Sequence, residues 1–447
     1  MSAAPIDASE FATLFDGCDR PLAIAVSGGV DSLALMHLVA GWRALGGGAA
    51  QPPPLVLTVD HALRAASAEE ARFVGQVARQ LGFAHETLAW IGAKRTSGIQ
   101  DAARRARYEL LFERLADDAW PRDLLLAHHL EDQAETLLMR LARGSGIDGL
   151  SAMRGLERRV VVKLGCPVRE AVVRLRRPLL DIPKARLIAT AQALGADWRD
   201  DPSNADVRFE RVRLRRSQTG LAELGLTPES LARSARRLAA ERAALLAHSA
   251  GIAAKYVRDH AGAYGEFKLP GIEQCQPADV GRILGRLIGV FGGAAPPAQL
   301  SQIEALVERV LSPSFAALGR LTLGGCIVDI AGEQPGRIVT AFREIGRAEL
   351  PTLTLQPGEG VFWDQRFYIS LSATAPGPAH ILPWRARTAG AATGPGGHSA
   401  ALPAIGSDAE PTLVFGRADL PVSCVWPMQH AAALAFREPD ETPPETI

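Results

Sequence analysis

Ile24-Ala25-Val26-Ser27-Gly28-Gly29-Val30-Asp31-Ser32 is the stretch on which the reading of this chain turns. An apolar run, Leu22 to Val26, ends in Ser-Gly-Gly, and Leu33, Leu35, Met36, Leu38 and Val39 follow at helical spacing, so a buried strand runs straight into a helix. Such a junction makes an anion site. Two glycines open backbone angles closed to other residues and let a ligand approach the main chain, while the helix start presents unpaired N–H groups with partial positive charge. Pyrophosphate is the natural guest. Asp31 stands where a carboxylate can hold a magnesium ion bridging phosphate oxygens, and Ser27 and Ser32 add hydroxyl donors. The plain alternative is a turn in which Ser32 or Asp31 merely caps the helix, and two glycines with a serine do not decide between the two. No Lys-Ser or Lys-Thr follows the glycines at the Walker spacing.

A chain of 447 residues that is 47% hydrophobic can bury a substantial core, and its length allows two or three domains. The N-terminus has no basic start with a continuous apolar stretch, and nowhere do eighteen apolar residues run together, so neither a secretion signal nor a membrane span is expected. Cys18, Cys166, Cys275, Cys326 and Cys424 show no Cys-x-x-Cys spacing, which argues against a near-neighbour zinc or iron–sulfur site and fits a reducing cytoplasm. The formal charge sums to zero, yet Arg140 to Arg216 holds 18 Lys and Arg against 9 Asp and Glu. A basic segment beside a nucleotide site suggests a polyanionic substrate, the bland reading being a solvated arginine-rich face.

Further along, Leu55 to Val59 reads as a second buried strand ending in Asp60-His61-Ala62-Leu63-Arg64. Ligands of parallel α/β sheets gather outside the carboxyl ends of the strands, so Asp60, His61 and Arg64 are placed to meet nucleotide or substrate. His85 to Trp90 reads as a third strand and Ile99 to Asp117 as an amphipathic helix on which Arg104 and Arg107 share a side. Leu124 to Ala127 is a fourth strand, emptying into His128-His129-Leu130-Glu131-Asp132-Gln133-Ala134-Glu135-Thr136, where a helix from about Glu131 sets Asp132 and Glu135 on one face. Acids in a first helical turn often only complement the dipole, but this density of polar groups at another strand–helix mouth is harder to dismiss. Arg143 to Leu150 reads as a glycine-rich loop, Val160 to Leu164 and Val172 to Leu175 as a hairpin, and a helix starts near Pro183. Pro228 to Asp259, Gln274 to Gly292 and Gln299 to Leu311 read as helical, and from Leu321 short β-like runs take over, Val361 to Leu371 among them. The expected division is a catalytic domain over 1–218, a helical region over 219–318, a small α+β domain over 319–437 and a disordered tail over 438–447, with Gly390 to Ala401 a flexible loop.

Ser27 to Ser32 resembles the SGGxDS signature of the PP-loop ATP pyrophosphatases, enzymes that cleave ATP between the α and β phosphates and adenylate a substrate. One branch, the tRNA(Ile)-lysidine synthases, is similar in several ordered blocks: Val59 to Arg64, Ala102 to Tyr108, Ala127 to Thr136, Arg143 to Gly146 with Gly149-Leu150, Arg177 to Leu180, and Trp198 to Asn204. These span about residues 21 to 216. Two positions depart from the family's pattern: Glu131 stands where Asp is common, and Val212 follows Arg211 where Asn is expected.

The resemblance implies an α/β fold in which a parallel-sheet, Rossmann-like PP-loop domain is followed by a helical region and a small α+β C-terminal domain. It implies ATP as substrate with Mg2+, and adenylation of the carbon-2 oxygen of the wobble cytidine in a CAU-anticodon tRNA(Ile). Free L-lysine then displaces AMP. ATP would lie on Ser27, Gly28, Gly29, Val30, Asp31, Ser32, Asp60 and His61, with magnesium on Asp31. Asp132, then Glu135, would bind the lysine amine and take its proton, and Arg104 or Arg107 would neutralise the α-phosphate or grip lysine's carboxylate. Arg64, His128, His129, Arg143, Arg176, Arg177, Arg211, Arg213 and Arg215 would meet the tRNA. A homodimer is left open, and no membrane is involved. The rivals are a PP-loop tRNA thiolase, which the scattered cysteines disfavour, a small-molecule amidating synthetase, and a catalytically silent nucleotide- or RNA-binding module.

Overall fold

The computed structural model describes residues 3–62, 67–91, 99–116, 123–163, 169–199, 208, 210–260, 262–271, 274–293, 297–314, 319–333, 335–345, 350–383, 402–406, 411–413 and 422–425. Arg64, Cys166, residues 200–204, the segment 390–401 and the tail from 438 lie outside them. The chain divides into two compact units, Met1–Val161 with Ala171–Arg242, and Val162–Glu170 with Ala243–Ile447.

The first unit opens with a short helix α1 (Phe11–Leu14) and is built on a six-stranded sheet of order β3-β2-β1-β4-β6-β5. Its strands are β1 (Leu22–Ala25), β2 (Leu55–Asp60), β3 (Ala84–Ala89), β4 (Asp123–Leu125), β5 (Leu156–Lys163) and β6 (Arg169–Arg176). Pairing is parallel from β3 through β2, β1 and β4 to β6. Because β1 is buried on both faces, its alternate residues feed two cores. Leu22, Ile24 and Val26 pack toward α2 (Val30–Ala44), α3 (Ser67–Gln80) and α7 (Lys184–Ala193), while Ala23 packs with Leu55, Leu57 and Leu124 toward Leu111 and Leu115 of α4 (Ile99–Ala116). The chain leaves β1 toward β2 on one side and returns as β4 on the other, so the sheet's switch point lies between β1 and β4, where α/β folds form their crevice.

Helix α5 (Leu130–Ala142) follows β4 and buries Ala134 and Leu137 against Leu231 and Ala235 of α10 (Pro228–Tyr256). The stretch read as a glycine-rich loop contains one short helix, α6 (Ile147–Leu150), and α8 (Glu210–Arg216) and α9 (Gln218–Glu223) complete the unit.

The second unit holds a five-stranded antiparallel sheet of order β7-β8-β11-β10-β9. Its strands are β7 (Val257–His260), β8 (Tyr264–Lys268), β9 (Gly319–Leu323), β10 (Cys326–Ala331) and β11 (Ile338–Arg343), packed on α11 (Pro277–Phe291) and α12 (Leu300–Leu311). The helix expected to reach Asp259 therefore stops at Tyr256. Val257 begins a hairpin whose turn is closed by Asp259 Oδ1 accepting from Gly262 N at 3.0 Å, and Phe267 is buried on alternation with Glu266 and Lys268. Thus the segment 257–268 belongs to the same sheet as the strands after residue 319.

Two smaller sheets, β12 (Leu353–Leu355) with β15 (Ala379–Pro383), β16 (Pro403–Gly406) and β17 (Pro411–Leu413), and β13 (Gly360–Trp363) with β14 (Phe367–Leu371) and β18 (Val422–Val425), share one core. The single run expected from Val361 to Leu371 is two strands. Asp364 and Gln365 both take positive φ, 49° and 56°, and turn the chain back so that Trp363 pairs with Phe367.

Candidate active site

Asp31, His129 and Asp132 meet at the switch point because β1 and β4 deliver their carboxyl ends side by side. At the end of β1, Gly28 takes φ +89° and Gly29 caps α2 in extended conformation. A left-handed residue is needed there to aim the next N–H groups outward, and glycine supplies it without a Cβ penalty. Ser32 Oγ fastens the turn from inside, donating to Gly29 O at 3.0 Å and accepting from Ser27 N at 3.2 Å. Arg199 N adds a 2.9 Å bond to Gly28 O. The buried Ser32 hydroxyl is thus committed to the loop, while Ser27 is exposed.

Asp31, in the first turn of α2, has one carboxylate oxygen engaged and one open. Its Oδ2 is 3.2 Å from Lys184 Nζ and 3.7 Å from His129 Nε2, whereas Oδ1 is buried with no hydrogen-bond partner. Leaving a buried carboxylate oxygen unpaired is costly, so Oδ1 is the atom a cation would satisfy. Magnesium is commonly held by one or two carboxylates with phosphates and water filling the octahedron, and Asp31 fits that role. Among the described residues no group of three or more His, Cys, Asp and Glu could form an all-protein metal cage.

In front of the turn lies a cavity of about 380 Å³, lined in part by Ser27, Asp31, His61, Arg104, Arg107 and His128. Gly29 and Ser32 also line it. Three strand mouths and α4 therefore open on one space, as expected. His61 Nε2 lies 3.4 Å from Arg107 Nε, and Arg104 rides 5.3 Å above the Tyr108 ring. Asp60 turns its Oδ1 to Ala62 N at 2.7 Å and shapes the loop after β2. Gly28, Val30 and Asp60 are not among the lining residues.

Asp132 and Glu135 do not line this cavity either. Asp132 is linked to the cavity-lining Asp31 by His129, itself not a lining residue, whose Nε2 lies 3.5 Å from Asp132 Oδ2, so that one imidazole faces both acids. His129 is only 2% exposed, and Glu131 Oε2 sits 2.9 Å from its Nδ1. Burial works against charging His129, but the Glu131 hydrogen bond, Asp132 and Asp31 prevail and raise its pKa. Burial would raise the Asp132 carboxyl, yet His129 and Arg211 hold it below the usual carboxylate range. For Glu135 burial wins over its bond to Arg215, and its pKa is raised. Burial pushes His128 down to about 3, so it is a neutral imidazole at the cavity wall, with Nδ1 buried and unpartnered.

The arginines expected to line an RNA surface divide. Arg177 is 7% exposed and donates to Arg154 O and Glu157; Arg176 is spent on Asp123 and on the carbonyls of Asp16 and Gly17. Both are turned inward. Arg211 lies 3.4 Å from Asp132 Oδ1, and Arg215 Nε donates to Glu135 Oε1 at 2.5 Å, so these two serve the acids. His129, buried between acids, presents no surface to RNA. Arg213 is exposed and donates to Arg208 O, and Arg143 is exposed and pairs with Glu210. Lys184 and Glu131 were not among the expected site residues. Their only signal was position: Lys184 opens the helix after Pro183, and Glu131 is the longer acid where the family pattern has Asp.

A strand–glycine turn–helix over an open cavity, at the switch point of a parallel sheet, defines a PP-loop protein, and the PP-loop domain family matches residues 5–220. The chain is 44% identical over 345 residues to a tRNA(Ile)-lysidine synthase of Methylobacterium nodulans, covering 74% of this chain and 95% of the relative. It is 41% identical over 346 residues to the tRNA(Ile)-lysidine synthase of a Bradyrhizobium species, covering 73% and 92%. The chain belongs to the tRNA(Ile)-lysidine synthase family. Among solved structures it is similar to a tRNA thiolase of Methanococcus maripaludis at 15% identity and a TM-score of 0.40, over 52% of this chain and 78% of that one.

Proposed function

We propose that this chain converts the wobble cytidine of a CAU-anticodon tRNA(Ile) to lysidine, using ATP to adenylate the carbon-2 oxygen and L-lysine to displace AMP. One observation carries the reading beyond family membership: Asp31, beneath the glycine turn, and Asp132, from the next strand mouth, face the same imidazole at 3.7 and 3.5 Å. A nucleotide-side acid and an amine-side acid are thereby joined at one centre.

The N–H groups at the start of α2 receive the β and γ phosphates as charge develops on the departing pyrophosphate, the step such donors stabilise. Asp31 Oδ1 would hold Mg2+, which when bound supplies further neutralisation of phosphate charge. Arg104 and Arg107, on the cavity wall, face the α-phosphate or the carboxylate of lysine, and neutral His128 offers a hydrogen bond without adding charge. The attacking amine must shed a proton, since its ordinary pKa is about 10.4. Asp132, held ionised, anchors the ammonium. Glu135, raised by burial, is the better proton acceptor, which reverses the order expected for the two acids. Arg143 and Arg213, both exposed, remain candidates for the RNA backbone. The reading places the chain in the cytoplasm with its tRNA; no helix among the described residues is long and apolar enough to cross a membrane.

Incubating the protein with labelled lysine, ATP and tRNA(Ile) transcript tests the reading. Label should enter the CAU transcript and not one with uridine at the wobble position. Absence of label from both would contradict it, and sulfur transfer or amidation of a small acid would favour a rival.

A further inference from the structure

We infer that Glu131 is a positioning residue, which fixes the ring of His129 between Asp31 and Asp132 and ties that ring to the start of α7; this rests on the reading above. Glu131 Oε2 lies 2.9 Å from His129 Nδ1 and accepts from Lys184 N at 2.9 Å, with Oε1 3.2 Å from the same N–H. One carboxylate therefore connects the cap and first turn of α5 to the first residue of α7. Both connections end on Asp31. With Nδ1 turned to Glu131, Nε2 is the atom left to face Asp31 Oδ2 and Asp132 Oδ2. With the α7 start held, Lys184 Nζ reaches the same Asp31 oxygen at 3.2 Å and leaves Oδ1 open.

A carboxylate that only capped α7 would need no imidazole and no burial, because exposed caps do that work. Glu131 has a side chain 21% exposed, and both of its oxygens are engaged by His129 Nδ1 and Lys184 N, which leaves neither for phosphate or amine. Its effect on the reaction passes through His129, as outer carboxylates act through the imidazoles they orient. If the ring turns away, the distance between the nucleotide-side and amine-side acids is no longer set. Adenylation, which needs Asp31, then continues better than transfer, which needs both.

The test compares the full chain with Glu131→Gln, His129→Asn and the double variant, measuring lysidine formed, pyrophosphate released and the unfolding midpoint. Glu131→Gln should lower lysidine formed per pyrophosphate about ten-fold or more. Its midpoint should move by no more than about 4 °C. The double variant should be within about two-fold of His129→Asn alone, because the two residues act as one unit. An unchanged ratio, a loss that follows the midpoint, or losses that multiply in the double variant would each overturn the inference. Should Glu131→Gln fail to fold, Glu131→Met reads the same ratio: of similar length but with no oxygen to accept from either partner, it should lower the ratio as well, and a wild-type ratio overturns the inference. No lysidine from the unsubstituted chain would instead overturn the reading beneath it.

Discussion

Asp31 and Asp132 are the same residue type on either side of one imidazole, and the proposed mechanism gives them different work. Asp31 keeps a buried oxygen without a partner, as a group waiting for a cation and phosphates does. Asp31→Ala should abolish pyrophosphate release altogether. Asp132→Asn should slow lysine transfer more than adenylation, measured as lysidine against pyrophosphate in one reaction; full lysine incorporation would contradict the assignment. Glu135 acts as base only when ionised, and burial raises its pKa, so single-turnover transfer should fall with decreasing pH at a higher pH than the ordinary glutamate value of about 4.3. Glu135→Gln should remove that pH dependence together with most of the transfer. At this scale the sequence located polar residues at the strand mouths but not where they point. The cluster from Ser27 to Ser32 and the acids after His129 were legible because their spacing follows from strand and helix geometry. A charge count placed Arg176 and Arg177 on an RNA face because it cannot reveal that Arg176 bonds Asp123 or that Arg177 is buried against Arg154 O and Glu157.

Elements were read well wherever burial imposes a strict period. Strands β1, β2 and β4 are nearly continuous apolar runs, the pattern of a sheet covered on both faces, and α2 announces itself by buried residues from Leu33 to Val39. The hairpin β7–β8 was hidden because Val257 to His260 continues the composition of α10 without a break, and only pairing with β8, which in turn pairs with β11, makes it a strand. In the turn after β1, Gly28→Ala meets no obstacle, its Cβ being 3.5 Å from a Val74 methyl, so its cost is that of φ +89°. That is about 1–2 kcal/mol. Chemical denaturation should show it, with ATP binding weakened as the N–H groups shift. In the β13–β14 turn, Asp364 is buried between Arg343 at 3.0 Å and Arg366 at 2.8 Å. Asp364→Asn leaves two buried guanidiniums without a counter-charge and should cost the second unit about 3–5 kcal/mol, while lysine-independent pyrophosphate release by the first unit is less affected.

On the scale of the molecule, the first unit holds most of the PP-loop match and the buried His128, whose ionisation makes it acid-sensitive. His128 is neutral when folded, with a pKa depressed by burial from the ordinary 6.5 to about 3. A depressed folded pKa means the unfolded chain binds the extra proton first. Its contribution to stability is therefore complete above pH 6.5 and is lost progressively as the pH falls toward 3. Urea titrations across that window should show the slope, and His128→Asn should flatten it. Electrostatic binding of tRNA is also a whole-molecule property. Arg213→Ala should weaken tRNA binding and lower the salt slope by about one counterion, whereas Arg177→Ala, which removes a buried guanidinium, should act on stability and leave the slope alone.

The claim beneath all of this is that ATP activates the cytidine oxygen in the space between the glycine turn and the paired acids. A tRNA(Ile) transcript carrying 18O at carbon 2 of the wobble cytidine measures it directly, by the mass of the AMP released as lysine is incorporated. The account predicts one 18O-bearing AMP for each lysine joined to the tRNA. AMP of ordinary mass, with the label kept in the tRNA or passed to water, would contradict it.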